Sequence, residues 1–365
     1  MGRKVKALVL GDAMIRVEGF AKAVARHLGP FVSETIQGEW ESNWSELQRR
    51  RLEVEKQGPE IETLDPLVAQ RGAEAEMLMG LFVPVSTKYM DAMPNLHVVG
   101  VSRAGVENVN IAEATKRGIL VFNVEGRNAE AVSDFAVGMM LCEARNIARA
   151  HYSIKSGQWR KTFSNSDFVP EFKDRTIGLV GFGYIGRLVA RKLSGFNVNI
   201  LVHDPFVPAE DIKALGATPV DKEQLFKESD FISVHARLTE DTKKYIGKKE
   251  LSVMKKTAYF INTARAGLVD QDALAQVLQN NQIAGAALDV FTNEPIDQDS
   301  PFLSLDNVTL TTHIAGTTAD ALNNSPGLLM EDIARLMNGQ KARFIKNPQV
   351  LDDPNFQAWL REVTA

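Results

Sequence analysis

Residues 176–187, Thr176-Ile177-Gly178-Leu179-Val180-Gly181-Phe182-Gly183-Tyr184-Ile185-Gly186-Arg187, are an apolar run that breaks into closely spaced glycines and resumes as Leu188-Val189-Ala190-Arg191-Lys192-Leu193. The pattern predicts strand, tight turn and helix. In a G-x-G-x-x-G turn, Gly181 allows a sharp reversal after the strand, Gly183 allows backbone N–H groups to approach a diphosphate, and Gly186 allows the helix to pack closely on its strand. The anion then sits on the helix N-terminus. Glycine-rich turns without a ligand are common, so context decides. A second strand, Asn197-Val198-Asn199-Ile200-Leu201-Val202-His203, follows and ends at Asp204. An acid there accepts hydrogen bonds from ribose hydroxyls, and the bland alternative is a turn former before Pro205. Strand, glycine turn, helix, strand and acid, in that order, favour a dinucleotide.

Working outward, 365 residues exceed what one core usually serves, so two domains are expected. Apolar residues at 44% and charged residues at 24% are ordinary for a globular protein. The 42 basic residues against 46 acidic ones give a formal charge of −4, which offers no reason to expect nucleic acid or an anionic membrane as partner. A lone cysteine, Cys142, excludes an internal disulfide and fits a reducing compartment. The basic N-terminus reaches Gly11-Asp12 before a signal-peptide core develops, and the apolar stretch Phe135 to Cys142 falls short of the roughly 18 residues a membrane span needs. A cytoplasmic protein is expected.

The chain opens with a buried-type strand, Val5 to Leu10, and an amphipathic helix around Ile15 to Leu28. Residues 40–62 are mixed in sign and helix-prone, with Leu47, Leu52 and Val54 too sparse for a strong core face, which predicts a solvated helix covering one edge. Short apolar runs follow at 75–80, 96–101 and 119–123, then a long helix from Ala129 to Arg149. Its apolar positions Val132, Phe135, Ala136, Met139, Met140 and Ile147 cover more circumference than one core contact needs, which suggests burial between domains or at a subunit contact. After Thr176, strands at 176–180, 197–203, 231–235, 258–262, 285–289 and 308–312 alternate with helical segments at 222–227, 248–254 and 270–280, the sequence form of a doubly wound α/β sheet. A helix near 319–338 follows the last strand, so the chain is expected to return to the first domain, leaving that domain discontinuous and the cofactor domain inserted.

In such sheets ligands bind beyond the carboxyl ends of the strands. Reactive residues fall there: Asp204, His235, Arg265, Asp289 with nearby Glu294, and His313. Singly, Arg265 reads as a solvated loop arginine, Glu294 as a surface acid and His313 as a histidine satisfied by a carbonyl. Together on one rim they suit hydride transfer to a carbonyl, which needs a proton donor where the oxygen takes up negative charge. His313 fits that role, Glu294 would orient its ring and favour its charged form, and Pro295 restricts the backbone of Glu294. Arg265 would grip the carboxylate of a 2-keto acid in a bidentate fork. Asp289 would accept from a nicotinamide carboxamide, or else cap a turn.

These residues carry a resemblance. The chain resembles the D-isomer-specific 2-hydroxyacid dehydrogenases, a family that includes D-3-phosphoglycerate dehydrogenase and the glyoxylate/hydroxypyruvate reductases. The similarity runs from about Leu96 to Gly339, through Arg103-Ala104-Gly105-Val106-Glu107-Asn108-Val109, Gly126-Arg127-Asn128-Ala129-Glu130-Ala131-Val132, the glycine turn, Asn262-Thr263-Ala264-Arg265-Ala266-Gly267, Ala287-Leu288-Asp289-Val290-Phe291-Thr292-Asn293-Glu294-Pro295 and His313-Ile314-Ala315-Gly316. It implies a Rossmann-type NAD domain at 126–318, inserted into a flavodoxin-like substrate domain made of 1–125 and 319–365. It implies a catalytic triad at Arg265, Glu294 and His313, and cofactor contacts at Gly181, Gly183, Tyr184, Ile185, Gly186, Asp204, Ala236, Thr263, Asp289 and Gly316. It also implies substrate contacts at Arg103, Ala104, Gly105 and Arg265, no metal, and a homodimer built around the long helix. An acid at 204 without a neighbouring arginine points to NAD over NADP.

The chain departs from the family at Arg237, where proline is usual, and in the loop 103–108, which is one residue shorter than in the phosphoglycerate enzymes. No regulatory domain of the kind some of those enzymes carry is expected after Ala365. The expected activity is interconversion of a D-2-hydroxy acid and its 2-keto acid, on a phosphoglycerate-like or sugar-acid-like substrate. The alternatives are a glyoxylate/hydroxypyruvate reductase and a non-catalytic NAD-sensing protein on the same fold.

Overall fold

The computed structural model describes residues 2–365, which divide into two compact units: residues up to Arg127 together with Thr318–Ala365, and Asn128–Thr317. Each is an all-parallel sheet with helices interleaved along the chain.

The first unit has strands β1 (Val5–Asp12), β2 (Val32–Glu41), β3 (Met77–Gly80), β4 (Val98–Val101) and β5 (Leu120–Phe122), in the order β2-β1-β3-β4-β5. That is the flavodoxin-like order, with its switch point between β1 and β3. Both faces of the central strands are covered, so β3, β4 and the stretch of β1 from Ala7 to Leu10 are apolar without alternation. Helix Val17–Leu28 buries Phe20, Val24 and Leu28 against them, and the returning helix Ser325–Met337 adds Leu329, Met330 and Ile333 to the same core. The C-terminal segment is tied down by polar contacts: buried Asn347 accepts from the Val121 amide at 2.8 Å and donates to the Ile119 carbonyl at 2.9 Å. Trp359 Nε1 donates to Glu76, which Arg3 grips with two bonds of 2.7 Å.

Strand β2 was not visible in the sequence pattern. It is an edge strand paired only with β1, so polar residues are tolerated along most of its length and only Ile36 and Trp40 are buried. Nor is the following helix, Trp44–Gln57, merely solvated. Asn43 caps it by accepting from the Glu46 amide, Leu47 and Val54 are buried, and Leu52 faces out.

The second unit has β6 (Thr176–Val180), β7 (Asn199–His203), β8 (Thr218–Pro219), β9 (Phe231–Val234), β10 (Tyr259–Asn262), β11 (Gly285–Leu288) and β12 (Val308–Leu310), in the order β12-β11-β10-β9-β6-β7-β8. The strand order reverses between β6 and β9, the topological switch point of a dinucleotide-binding fold. The expected long helix is two. Ala129–Ala144 ends where Asn146 adopts a left-handed conformation, φ 56°, and Ile147–Lys155 sets off anew. Val132, Ala136, Met139 and Met140 are buried, the last three in the core of their own unit, so that wide apolar face is spent within the unit. Ile147, by contrast, is exposed on the second helix.

At the break, buried Glu143 pairs with Arg149 and accepts from Thr309 Oγ1 at 2.5 Å. Burial pushes its carboxyl up, and Arg149 opposes that shift. No helix among the described residues is long and apolar enough to cross a membrane.

Candidate active site

The carboxyl edge of the second sheet gathers the residues that the sequence singled out. At the end of β6, Gly181 has φ 96°, and a Cβ there would stand 2.6 Å from the Ala236 nitrogen, so only glycine lets the turn pass the chain leaving β9. A Cβ on Gly186 would collide with the Gly181 carbonyl oxygen, so this glycine sets the close approach of helix Tyr184–Leu193 to the turn. Gly183 is different: a Cβ there would meet nothing within 4 Å. The helix it caps has no side-chain cap bond. Open space beside a helix N-terminus not capped by a side chain is what a diphosphate requires, so these residues fit a dinucleotide. Tyr184 is exposed and Ile185 half-buried on the first turn of that helix.

Asp204 follows β7. Its Oδ2 accepts from the Phe182 amide at 2.7 Å and its Oδ1 from the Phe206 amide at 2.9 Å, which fixes the acid beside the glycine turn. Each oxygen keeps a lone pair for a ribose hydroxyl. Ala236 is half-buried after β9, and Thr263 is buried after β10 with no hydrogen-bond partner for its Oγ1. His235, a strand-end residue given no role in the sequence reading, has both ring nitrogens buried without partners, and burial pushes its pKa down to about 4. Arg237 is exposed, and its carbonyl accepts from Thr242 Oγ1.

Arg265, Glu294 and His313 line one cavity of 390 Å³, with Leu238, Val290 and Phe291 among its apolar walls. His313 Nδ1 lies 2.6 Å from Glu294 Oε2, and Glu294 Oε1 accepts from the Phe291 amide at 3.0 Å. Partial burial pushes the Glu294 carboxyl up, but the His313 and Phe291 bonds outweigh it and hold the group below its ordinary value. The carboxylate therefore stays ionised near neutral pH. The Glu294–Pro295 peptide bond is cis. Arg265 is exposed, and its Nη1 donates to the Ala264 carbonyl at 2.7 Å.

Asp289 is fully buried and its acceptor capacity goes to the turn that carries His313. Oδ1 takes Thr311 Oγ1 at 2.6 Å and the Ile314 amide at 3.0 Å, and Oδ2 takes the Ala315 amide at 2.9 Å. The turn-capping alternative describes these bonds, and Oδ2 keeps one lone pair beyond them. Those bonds also bracket His313 itself, whose φ of 54° is costly for a residue with a side chain and must be imposed by its surroundings. A Cβ on Gly316 would stand 2.2 Å from Asn128 Nδ2, so that side chain would have to shift to admit it.

Two positioning residues escaped the sequence reading. Asn262 shapes the Arg265 loop by accepting from the Ala264 amide and donating to the Arg265 carbonyl, an Asx-type turn that its place at a strand end could have signalled. Gln271 holds the loop before Glu294 through Thr292 and Val290, and nothing local marks it.

Arg103, Ala104 and Gly105 belong to the first unit, in the loop after β4. Arg103 is mostly buried and pairs with Glu55 at 2.8 Å and Glu107 at 3.3 Å, and the Ala104 carbonyl accepts from Asn123. Among the described residues no group of three His, Cys, Asp or Glu side chains could hold a metal ion.

Residues 137–315 match the model of the D-isomer specific 2-hydroxyacid dehydrogenase, NAD binding domain. A glyoxylate reductase of Korarchaeum cryptofilum is 35% identical over 295 residues, covering 80% of this chain and 89% of its own length. The chain belongs to the D-isomer specific 2-hydroxyacid dehydrogenase family. As a member it is an NAD-dependent oxidoreductase that interconverts D-2-hydroxy acids and 2-keto acids. A D-3-phosphoglycerate dehydrogenase of Archaeoglobus fulgidus is 36% identical over 75% of this dehydrogenase, which spans about half of that relative's length. The NAD-complexed D-isomer specific 2-hydroxyacid dehydrogenase of Lactobacillus delbrueckii ssp. bulgaricus superposes with a TM-score of 0.72 at 23% identity, over 93% of this dehydrogenase and all of that chain, and so shares the fold.

Proposed function

We propose that His313 is the proton donor and acceptor of this dehydrogenase, that Glu294 orients and charges it, and that Arg265 holds the C1 carboxylate of the substrate. The observation that carries this reading is the 2.6 Å contact of Glu294 with His313 in the cavity that Arg265 also lines. When bound, NADH supplies the hydride that reduces C2. As C2 gains that electron pair, the former carbonyl oxygen takes the proton from His313 Nε2, while Nδ1 stays fixed on Glu294. The Arg265 guanidinium pairs with the C1 carboxylate and polarises the adjacent carbonyl. In oxidation the same groups act in reverse.

Gly181, Gly183, Tyr184, Ile185 and Gly186 are assigned to the diphosphate, Asp204 to the ribose, Ala236, Thr263 and Gly316 to the remaining cofactor contacts, and Asp289 to positioning the His313 turn. The second unit takes the cofactor role and the first unit the substrate role, with Arg103, Ala104 and Gly105 as substrate contacts. A polar-tailed substrate, phosphoglycerate-like or sugar-acid-like, suits an arginine in that loop. A glyoxylate or hydroxypyruvate reductase is the second reading, supported by the 35% identity with a glyoxylate reductase over 80% of this chain.

A homodimer is assigned from the helix Ile147–Lys155 and the segment after it, where Tyr152 is 74% and Trp159 78% exposed beside exposed Ile147 and Ile154. The single cysteine suits the reducing cytoplasm. NADH oxidation with glyoxylate, hydroxypyruvate and 3-phosphohydroxypyruvate tests the reading. His313→Asn is expected to lower kcat by roughly 10²- to 10⁴-fold with NADH binding retained, and an unchanged kcat refutes the mechanism.

A further inference from the structure

The helix Trp44–Gln57 reaches two parts of the first unit with two adjacent arginines. Arg50 clamps one side: it donates to Glu41 at 3.0 Å and to Glu62 at 2.6 and 3.1 Å, and its guanidinium lies 4.2 Å from the centre of the Trp40 ring. Arg51 points to the loops at the carboxyl ends of β3 and β4. Its guanidinium carbon lies 5.6 Å from the centre of the Phe82 ring, and that of Arg103 lies 4.7 Å from the same centre. The two guanidinium carbons are therefore no more than about 10 Å apart.

Arg51 Nε and Arg103 Nη1 are both buried and have no hydrogen-bond partner. So are Ser86 Oγ and Asn108 Oδ1, from the segments that follow β3 and β4. A buried polar group left unpaired costs about 1–3 kcal/mol, and more when charged, so a cluster of four calls for a ligand, an ion or ordered water to complete it. Charge narrows the ligand. Arg103 donates to Glu55 and Glu107, while Arg127, lowered in pKa by burial and by the nearby Arg103 charge, has no carboxylate partner. Arg51, Arg103 and Arg127 against Glu55 and Glu107 leave one positive charge, which one carboxylate neutralises and a doubly charged phosphate would overshoot, so of the two substrate classes proposed above this balance favours the sugar-acid-like one over the phosphoglycerate-like one.

We propose that Arg51 and Arg103, with the loops after β3 and β4, form a binding site in the first unit for the carboxylate of an organic acid. Arg51 is its specificity-determining residue, and Glu55, one helical turn further on, competes with the ligand for Arg103. The carboxylate can come from the tail of the substrate or from a free organic acid acting as an effector.

Calorimetric titration of the full chain with succinate, which has no keto group to reduce, tests this without turnover. An Arg265→Met background keeps the catalytic clamp from taking the probe. Succinate is expected to bind, Arg51→Gln to weaken it roughly tenfold or more, and Glu55→Gln to tighten it, a gain that misfolding cannot imitate. No binding, binding indifferent to both substitutions, or tighter binding of inorganic phosphate overturns the proposal. In the chain with Arg265 intact, a KM for 2-oxoglutarate that rises in Arg51→Gln while the KM for glyoxylate stays unchanged assigns the site to the substrate's tail, and KM values unchanged for both assign it to an effector. If no 2-keto acid is reduced but succinate behaves as stated, the proposed reaction fails and this site stands.

Discussion

The imidazole at 313 is held from two directions. Glu294 fixes Nδ1 at 2.6 Å, and Asp289, through three bonds to residues 311, 314 and 315, fixes the turn on which the ring is mounted at φ 54°. Preorganisation of this kind would place the proposed general acid before substrate arrives. His235 lies on the same edge but obeys different physics, because its ring nitrogens are buried without partners and its pKa falls to about 4. Its folded-state pKa lies below the roughly 6.5 of an unfolded histidine, so the unfolded chain binds the proton more readily and stability is lost as pH falls from about 6.5 towards 4. On going from pH 8 to pH 5, wild type should lose about 2 kcal/mol more stability than His235→Leu, read from urea unfolding of both proteins at each pH. Parallel losses in the two proteins would mean the imidazole finds a partner.

Among the elements, the β6 turn divides its glycines by task. Gly181 is needed by the chain itself, since its φ of 96° and the Ala236 nitrogen 2.6 Å from a Cβ leave no alternative, whereas Gly183 faces open space. Gly181→Ala should lower thermal stability by roughly 2 kcal/mol or more, while Gly183→Ala should stay within about 0.5 kcal/mol of wild type yet weaken NADH binding. Differential scanning calorimetry with NADH fluorescence titration separates the two, and a Gly183→Ala protein that binds NADH normally would remove the diphosphate assignment. The helix Trp44–Gln57 shows the reverse. Its sparse apolar residues suggested a solvated surface element, but Leu47 and Val54 are enough when Arg50 and Arg51 also turn inward and spend their charge on Glu41, Glu62 and the Phe82 face. Charged residues at inward positions look like solvent positions until their partners, up to tens of residues away in the chain, are known.

For the molecule as a whole, assembly is the open consequence of exposed aromatic surface. In light scattering behind size-exclusion chromatography the chain is expected to run as the proposed dimer and Tyr152→Asp with Trp159→Asp as a monomer; a wild-type monomer overturns the dimer, and an unmoved dimer puts the interface elsewhere. Much of the architecture was legible because local rules carry it: strands buried on both faces in parallel sheets are continuous apolar runs, so β1 and β6 stand out at once. Edge strand β2 and the two-residue β8 were not, since an edge needs little apolar surface to pair. The break at Asn146 was hidden too, because Ile147 continues the apolar pattern while the backbone does not. By itself the sequence determined the alternation of elements, the glycine turn and the residue types at the strand ends, all of which depend on neighbours within a few positions. Only the tertiary structure decided that Asp289 serves the His313 turn, that the face of the helix Ala129–Ala144 is spent inside its own unit, and that Arg51 meets Arg103 over one aromatic ring. Those outcomes rest on contacts between distant residues, whose energies exist only once the backbone has brought the partners within a few ångströms.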